Sequence, residues 1–599
     1  MAPSRRAVLF CLGVVLTLAA ASRFVGITHH LKHGAPDFDE RNNFVEPVLR
    51  MWRRPTANPS VYAGYPGFFN YITFLPIGLG NGLAGFMGAY TAGRAVVAAF
   101  SVANVFLLWR LGSRALGAQY GLFAAALLLV SRVDLRSAQH ITPDTLVASA
   151  ALGALLILGS RPMHNRAWIW LGALAGAAAA VKLTGVLVAA SALVGLGFER
   201  RVLRSAAVFA IAASVSYAVL APYAALGIQG TDPAETHAVR AWSGVSGYYG
   251  SNLLQNRFFR GEGTSLPAIA DLFLLALGPL SLALTVLSIA APREIRPVVW
   301  PALGLVGASV LAILPANMVY PRHVVPGSAV AAFLAATGLK VLIEKVLRPE
   351  RMRAAGFALV ALPAIALPAR NAWPVLTRVL TPSAVDQAAV WIESQFASPT
   401  RIVTSLERFQ LAAGRFEVRH TKSLMDLPPD ALAQYDLIVA RTPREVRSLS
   451  NYQRLCEFPP EEGKADLITV LRPPFVGLDH APPDAVFPAS GPAWQHIQPD
   501  GFIELRWSKS VRLTRIHVEV PSAQDWPRSI GVLARRDGGE WERLACEGLR
   551  PIRASRQLPP YGQIFVPVER RELVALRLVG EGHVFSISAV RTFVEGAPH

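Results

Sequence analysis

Long apolar runs occupy the first 370 residues of this chain and constrain its fold more than any other feature. A helix that crosses a membrane needs about 20 apolar residues, and about eleven stretches approach that length. We predict membrane-spanning helices at 7–27, 89–109, 116–132, 143–160, 167–181, 183–198, 205–226, 266–290, 298–315, 323–341 and 354–370. The region 167–198, with Lys182 at its middle, fits either two short helices or one long helix with a broken end. The pattern therefore predicts a polytopic α-helical membrane protein.

The composition changes after residue 370. The whole chain is only 16% charged, whereas soluble proteins have roughly 25% charged residues. Residues 371–475 alternate helix-like and strand-like patterns, which predicts a small exported α/β domain. Residues 476–599 carry alternating strands with polar breaks, which predicts a β-sandwich that looks like a discoidin-type, carbohydrate-binding jelly roll. We therefore predict three domains, at 1–370, 371–475 and 476–599.

The formal net charge of +18 is typical of a membrane protein with basic inner loops. The Lys and Arg residues cluster in short loops between apolar runs, as the positive-inside rule describes. Nucleic acid is therefore not an expected partner, whereas membrane lipid with anionic head groups is one. All the basic clusters fall on one side if the region 167–198 crosses the membrane twice.

This topology defines an exported face. The exported segments are 28–88, 133–142, the region of Lys182, 227–265, 316–322 and the tail from residue 371. We therefore predict a multi-pass protein of the cell inner (plasma) membrane. Its C-terminal region is expected on the periplasmic or extracellular side.

Two acidic positions lie on the predicted exported face. Asp39 and Glu40 follow the first apolar run, and Asp144 follows Pro143 at the predicted start of a helix. A carboxylate at the membrane surface can act as a general base toward a hydroxyl, or it can bind a cation. Taken singly, each acid also fits a structural role as a helix cap or a solvated charge.

Basic residues share this face. Lys182 lies between two apolar halves, where an ammonium group needs a partner or water. Arg322 and His323 precede an apolar helix, and a guanidinium there can hold a phosphate through two hydrogen bonds. An arginine that only reaches the interface is the structural alternative. Acids and cations on one face suggest a reaction in which the cations hold the phosphate of a lipid-borne donor.

Four short motifs follow one another along the membrane half. They are the Asp-Glu pair at 39–40, Pro143-Asp144, a Lys-x-x-Gly turn at 182–185 and a Pro-Arg-His-x-x-Pro element at 321–326. The stretch from Gly93-Arg94 through Leu116-Gly117 to Pro143-Asp144 adds a characteristic spacing. In these motifs, residues 1–370 resemble the GT-C glycosyltransferases of the protein O-mannosyltransferase and aminoarabinose transferase type. The resemblance implies transfer of a sugar from a polyprenyl-phosphate carrier, with inversion, to a protein, lipid or glycan acceptor on the exported face.

The resemblance also implies roles for the acids. The catalytic base of such enzymes corresponds to Asp39, with Glu40 as its neighbour in the motif and Asp37 as a less favoured substitute. Asp144 corresponds to the second acid, which orients the acceptor or organises the site. An inverting displacement needs a base on the side opposite the leaving group.

On the donor side, the resemblance implies that Lys182 and Arg322 neutralise the leaving phosphate. Charge that develops on a phosphate is stabilised by fixed cations. His323 is the less certain member of this set, since it stands where many relatives carry Tyr.

Other functions fit part of the pattern. A lipid or glycan transporter or flippase also contains intramembrane charge, but it predicts internal repeats, and we find no clear repeat. An oligosaccharyl transferase that uses a diphosphate-linked glycan is the third reading, and its relatives need a metal. We predict no specific cofactor, and a divalent metal stays open. Cys456 and Cys546 are either a pair or two unrelated thiols.

Overall fold

The computed structural model describes residues 4–29, 31, 39–54, 65–160, 163–199, 201–225, 265–314, 320–346, 350–396 and parts of 400–594, where the largest gaps are 459–467, 473–484, 520–529 and 545–560. Three features named above lie outside the described residues: Asp37, Cys546 and nearly all of the segment 227–265. The chain forms two compact units, of which the first extends to Pro382 and the second begins at Ser383.

The first unit is helical. Its main helices are α1 (Arg5–Phe24), α2 (Glu46–Arg53), α3 (Phe68–Ala115), α4 (Ala118–Leu129), α5 (Arg132–Ala138), α6 (Asp144–Leu158), α7 (Asn165–Val181), α8 (Leu187–Leu196), α9 (Val202–Leu220), α10 (Leu266–Leu277), α11 (Pro279–Leu287), α12 (Arg296–Ile313), α13 (Val325–Val346) and α14 (Glu350–Leu380). Short single turns lie at Pro222–Ala225 and Ser288–Ala290.

The helices of the first unit differ in whether they are long enough to cross a membrane. Within the described residues, six helices are long and apolar enough to cross a membrane, or up to eight if each of two bent pairs forms one span. The predicted count of about eleven spans is not confirmed. One reason is length, because α6, α7 and α8 contain only 15, 17 and 10 residues.

Helix α3 turns back on itself at Ala84 and Gly85, where the backbone is not helical. Gly85 has a φ of 57°, in the left-handed region that favours glycine. A Cβ added to Gly80 would lie 2.4 Å from the carbonyl oxygen of Gly88, although eight residues of straight helix would separate these positions by about 12 Å. Residues 68–83 therefore pack against the following half of α3 and do not extend it.

The chain also breaks at Lys182, which has extended backbone angles of −156° and 140°. The 3-10 turn Leu183–Val186 follows, and a Cβ on Gly185 would lie 2.0 Å from the carbonyl oxygen of Ala178. The chain thus folds back tightly on the end of α7, and only glycine fits at position 185. Of the two arrangements predicted for 167–198, the structure contains the two short helices.

A separate apolar cluster supports the segment that follows α1. It packs residues of the π-helical turn Glu40–Val45 and of α2 against α3 and the start of α6. The Phe44 ring lies edge-on to both Tyr65 and Phe69, with centroid distances of 5.1 and 4.9 Å. This core holds the two acids at 39–40 beside the helical bundle.

The second unit begins with helix α15 (Ala384–Gln395), whose N-terminus has a capping box formed by Ser383 and Asp386. A short helical turn lies at Pro429–Leu432. Its strands are β1 (Thr400–Thr404), β2 (Phe416–His420), β3 (Leu437–Ala440), β4 (Gln453–Phe458), β5 (Ile468–Arg472), β6 (Ala485–Phe487), β7 (Gln495–Ile497), β8 (Phe502–Glu519), β9 (Ile530–Arg535), β10 (Trp541–Arg543), β11 (Tyr561–Phe565), β12 (Glu572–Gly580), β13 (Phe585–Ile587) and β14 (Ala589–Val594).

The strands of this unit form three sheets. The first is mixed, with the order β2-β1-β3-β5-β4, and β1 is parallel to both β2 and β3. The second has seven strands and is antiparallel, with the long strand β8 paired to β6, β11, β12 and β14. The third joins β7 and β13. The mixed sheet lies in the region predicted to be α/β, and the antiparallel sheets lie in the region predicted to be all-β. The sandwich arrangement stays a prediction.

Candidate active site

Asp39 lies at the start of the π-helical turn Glu40–Val45, next to the first unit's apolar core. Its carboxylate accepts a hydrogen bond from the Arg322 guanidinium, and these residues are 283 positions apart in the chain. Asn43 donates a second hydrogen bond to Asp39 Oδ1, at 3.2 Å. The Asp39 side chain is 26% exposed, and the Arg322 side chain is 19% exposed. The pair is therefore ordered and still accessible.

Glu40 differs sharply from its neighbour, since it is only 1% exposed. Its two oxygens accept hydrogen bonds from Arg94 at 2.9 and 2.7 Å, and the backbone N–H of Ile141 donates to it at 2.7 Å. Burial raises the pKa of Glu40, but the charge of Arg94 and the contact with His140 outweigh this effect. The pKa of this carboxyl therefore lies well below its usual value.

Arg94 connects Glu40 to the end of α1. Its Nη1 atom donates to the carbonyl oxygens of Ile27 and His29, both at 2.9 Å. The ion pair thus ties three regions together: the chain after α1, helix α3 and the junction before α6. The Gly93-Arg94 motif was noted in the sequence, but no role was predicted for this arginine. An arginine inside the apolar run 89–109 is the signal that points to a buried partner.

Asp144 and Lys182 form a second buried ion pair, after that of Glu40 and Arg94. Lys182 Nζ donates to Asp144 Oδ1 at 2.7 Å, and the side chains are 9% and 2% exposed respectively. Asp144 is the first residue of α6, and Lys182 follows the last residue of α7. Within the described part of the chain, Asp144 Oδ2 is buried and has no hydrogen-bond partner.

The 3-10 turn Pro321–Val324 brings Arg322 and His323 to the same place. The Arg322 guanidinium lies over the Tyr320 ring, 4.9 Å from its centroid, and the His323 ring stands edge-on to the same ring. The charged groups that act on His323 are Lys182, Asp144 and Arg322. The predicted residues at 39, 144, 182, 322 and 323 are thus brought together, while Glu40 faces away into its own ion pair.

A third buried ion pair, which was not predicted, joins Arg23 to Asp134 at 2.6 Å. Arg23 is fully buried at the end of α1 and also donates to Ser101 Oγ at 2.7 Å and to the carbonyl oxygens of Leu128 and Leu129. These carbonyls end α4, where a cation is favourable. An arginine inside the first apolar run was the available signal, but no sequence rule pairs it with Asp134.

No group of three or more His, Cys, Asp or Glu side chains in the described ranges could hold a metal ion. Cys456 lies in β4, while Cys546 is outside the described residues, so both alternatives for these two cysteines stay open. Burial raises the pKa of Cys456.

A family model described as Dolichyl-phosphate-mannose-protein mannosyltransferase matches residues 73–225. The matched region contains Arg94, Asp144 and Lys182, but not Asp39, Glu40 or Arg322. The match confirms the resemblance to this type of glycosyltransferase that the motifs predicted. No curated protein matches the chain significantly.

Several solved structures are similar to the chain at low sequence identity. ArnT from Cupriavidus metallidurans bound to undecaprenyl phosphate is 14% identical, with a TM-score of 0.48 over 78% of this chain and 98% of that one. The oligosaccharyltransferase AglB from Archaeoglobus fulgidus is 14% identical, with a TM-score of 0.45 over 72% and 69% of the two chains. The arabinosyltransferase EmbB from Mycobacterium smegmatis is 13% identical, with a TM-score of 0.44 over 98% and 64%.

Proposed function

We propose that this protein is an integral membrane glycosyltransferase. It transfers a sugar from a polyprenyl-phosphate carrier to an acceptor on the exported face, with inversion at the sugar carbon. The observation that carries this proposal is the cluster of two carboxylates and two cations formed by Asp39, Arg322, Asp144 and Lys182. The family match over residues 73–225 supports the same reaction class.

Asp39 is the proposed base. Among the three candidate acids that the structure describes, it has the most exposed carboxylate, while Glu40 and Asp144 are almost completely buried. A base must come within hydrogen-bond distance of the acceptor hydroxyl. Asp39 takes the acceptor proton as the oxygen attacks the sugar carbon, and the bond from that carbon to the carrier phosphate breaks.

Arg322 is the proposed phosphate ligand. Its guanidinium offers planar donors that match phosphate oxygens, and its Nε atom has no hydrogen-bond partner among the described residues. Arg322 engages Asp39 through its Nη2 atom, so the Nε atom remains available to a phosphate oxygen. Arg322 would therefore stabilise the charge that develops on the leaving phosphate.

Lys182 and Asp144 support the reaction from a more buried position. The Lys182 ammonium already neutralises Asp144, so its access to donor phosphate is smaller than that of Arg322. The free Oδ2 atom of Asp144 is suited to accept a hydrogen bond from a substrate hydroxyl. His323 adjoins this pair, where its ring can line the substrate position.

Glu40 is proposed as a positioning residue and not as a second base. Its oxygens are engaged by Arg94 and by the backbone of Ile141. Because Glu40 directly follows Asp39, this ion pair fixes the backbone that carries the base.

The proposal is tested by sugar transfer in membranes that contain the full chain. Membranes with wild-type protein or with Asp39→Asn receive a radiolabelled polyprenyl-phosphate sugar, and the label in protein, lipid and glycan fractions is measured. Loss of a general base lowers turnover about 10²- to 10⁴-fold. Asp426→Asn, which changes an exposed acid of the second unit, should transfer at the wild-type rate. Near wild-type transfer by Asp39→Asn at normal protein levels would overturn the assignment.

We also place the second unit on the exported side, because the basic clusters of the sequence lie in the opposite set of loops. A phosphatase reporter fused after His599 is active only when exported. An inactive reporter in correctly inserted protein would contradict this orientation.

A further inference from the structure

Helix α2 has two chemically different sides. Pro47, Val48, Leu49 and Met51 are buried. Arg50 and Arg53 lie on the other, exposed side, and Arg54, which directly follows the helix, is exposed as well. Within the described part of the chain, the guanidinium groups of these three arginines make no hydrogen bond or ion pair. We call the three arginines the α2 basic face.

Residues 68–83 carry an apolar stripe beside this face. Leu75, Leu79 and Leu83 are 58%, 51% and 88% exposed, and their four-residue spacing places them on one side of the helix. Trp52 joins the two elements, since its ring lies 5.2 Å from the Phe74 ring and occupies the space next to Gly78. The basic face and the leucine stripe therefore belong to one packed unit.

We infer that the α2 basic face binds the head groups of anionic phospholipids, while the leucine stripe enters the acyl layer. Basic residues, an interfacial Trp and an adjacent apolar side are the features of a helix that lies at a membrane surface. The only acid of the segment 46–54 is Glu46, one turn before Arg50, so its three arginines leave this segment with a formal net charge of +2. Each basic residue near an anionic surface contributes to attraction.

The leucine stripe favours a lipid bilayer over other polyanions. The exposed leucines beside the arginines need a hydrocarbon environment next to an anionic surface. A bilayer provides both, whereas a nucleic acid or an acidic peptide does not. The second half of α3 continues into the apolar bundle. A bilayer surface thus satisfies both the charge and the apolar area.

The binding has a consequence for the segment that carries Asp39. Helix α2 directly follows the turn Glu40–Val45, and Phe44 packs on Phe69 at the start of the stripe-bearing helix. Anionic lipid would therefore hold this segment in place. The inference itself does not depend on the proposed transfer reaction.

The test is amide hydrogen exchange of full-length protein in nanodiscs of phosphatidylcholine, with or without roughly 30% phosphatidylglycerol. For the wild type, exchange in peptides covering 46–54 should slow at least about five-fold in the anionic discs. Raising the salt from about 0.05 to 0.5 M should remove the difference by screening.

The triple variant Arg50→Gln/Arg53→Gln/Arg54→Gln should show no lipid dependence. The control Arg110→Gln/Arg114→Gln, which changes two exposed arginines after the apolar part of α3, should behave as wild type.

Any of three results would overturn the inference. The first is equal exchange of wild-type 46–54 in both kinds of disc, and the second is full lipid dependence in the triple variant. The third is protection by stoichiometric polyprenyl phosphate added to neutral discs, with no further effect of phosphatidylglycerol. That result would assign the basic face to the donor carrier and not to bulk lipid. Because no step measures sugar transfer, an inactive enzyme leaves each outcome decisive.

Discussion

Lys182 and Asp144 form a 2.7 Å ion pair in the interior of the first unit, and one carboxylate oxygen of the pair has no partner among the described residues. The lysine ends one helix and the aspartate begins another. Their contact therefore joins the turn at 182–185 to the start of α6, next to the turn that carries Arg322. The accessible Asp39–Arg322 pair and this buried pair form the two halves of the candidate site.

The first prediction concerns the buried pair. Lys182→Met or Asp144→Asn alone should lower stability by about 3–5 kcal/mol, because each leaves a buried group without its partner. The double variant should recover much of this loss but remain inactive. Thermal unfolding in detergent and sugar transfer measure the two effects separately. Additive losses in the double variant would show that the residues do not interact.

The second prediction concerns donor binding. Arg322→Lys keeps the charge but loses the planar donors, so it should raise the KM for the donor about ten-fold. Arg322→Gln should reduce kcat/KM by roughly a further ten-fold, which corresponds to about 1.4 kcal/mol. Tyr320→Phe keeps the ring beneath the guanidinium and serves as the control. An unchanged donor KM in both Arg322 variants would remove Arg322 from the phosphate site.

The third prediction is a pH dependence of stability. The pKa of Glu40 is lower in the folded protein than in the unfolded chain, since Arg94 holds the carboxylate ionised. The ionised Glu40 therefore contributes to the free energy of unfolding above the ordinary pKa of about 4.5, and this contribution declines as the pH falls below that value. The unfolding temperature is measured between pH 3 and 7, roughly the range that spans this titration. As the pH is lowered, this temperature should fall more steeply for wild type than for Glu40→Gln. Parallel curves would mean that Glu40 does not contribute in this way.

The fourth prediction concerns the third ion pair. Asp134→Asn should destabilise the protein by several kcal/mol, because Arg23 would keep a buried charge without a carboxylate. Ser149→Ala removes a different hydrogen bond, the one to Asn104 at 2.6 Å, and should cost only about 1 kcal/mol. Unfolding temperatures of the two variants provide the comparison. Equal small losses would show that the Arg23–Asp134 pair has little energetic weight.

Part of the site could be predicted because its signals are local. Charged residues in or beside apolar runs are costly and point to partners or function, which singled out Asp39, Asp144, Lys182 and Arg322. The Lys-x-x-Gly turn was also visible, and the structure gives its reason in the close approach of Gly185 to Ala178.

Other features could not be predicted because they depend on packing between distant segments. Asp39 and Glu40 are adjacent in the sequence, yet neighbouring positions on a helix point about 100° apart. One side chain therefore reaches Arg322 and the other enters the core to meet Arg94. The turn at Lys182 depends on packing as well, since the following chain folds back on the end of α7.

The sequence by itself determined the apolar segments, the basic loops, the change of composition near residue 370 and the order of the motifs. These properties follow from residue type and spacing. Only the tertiary structure decided which acid meets which cation, because Asp39 and Arg322 are separated by 283 positions and Asp144 and Lys182 by 38. Helix packing sets those contacts. It leaves the Asp39 carboxylate accessible and buries those of Glu40 and Asp144.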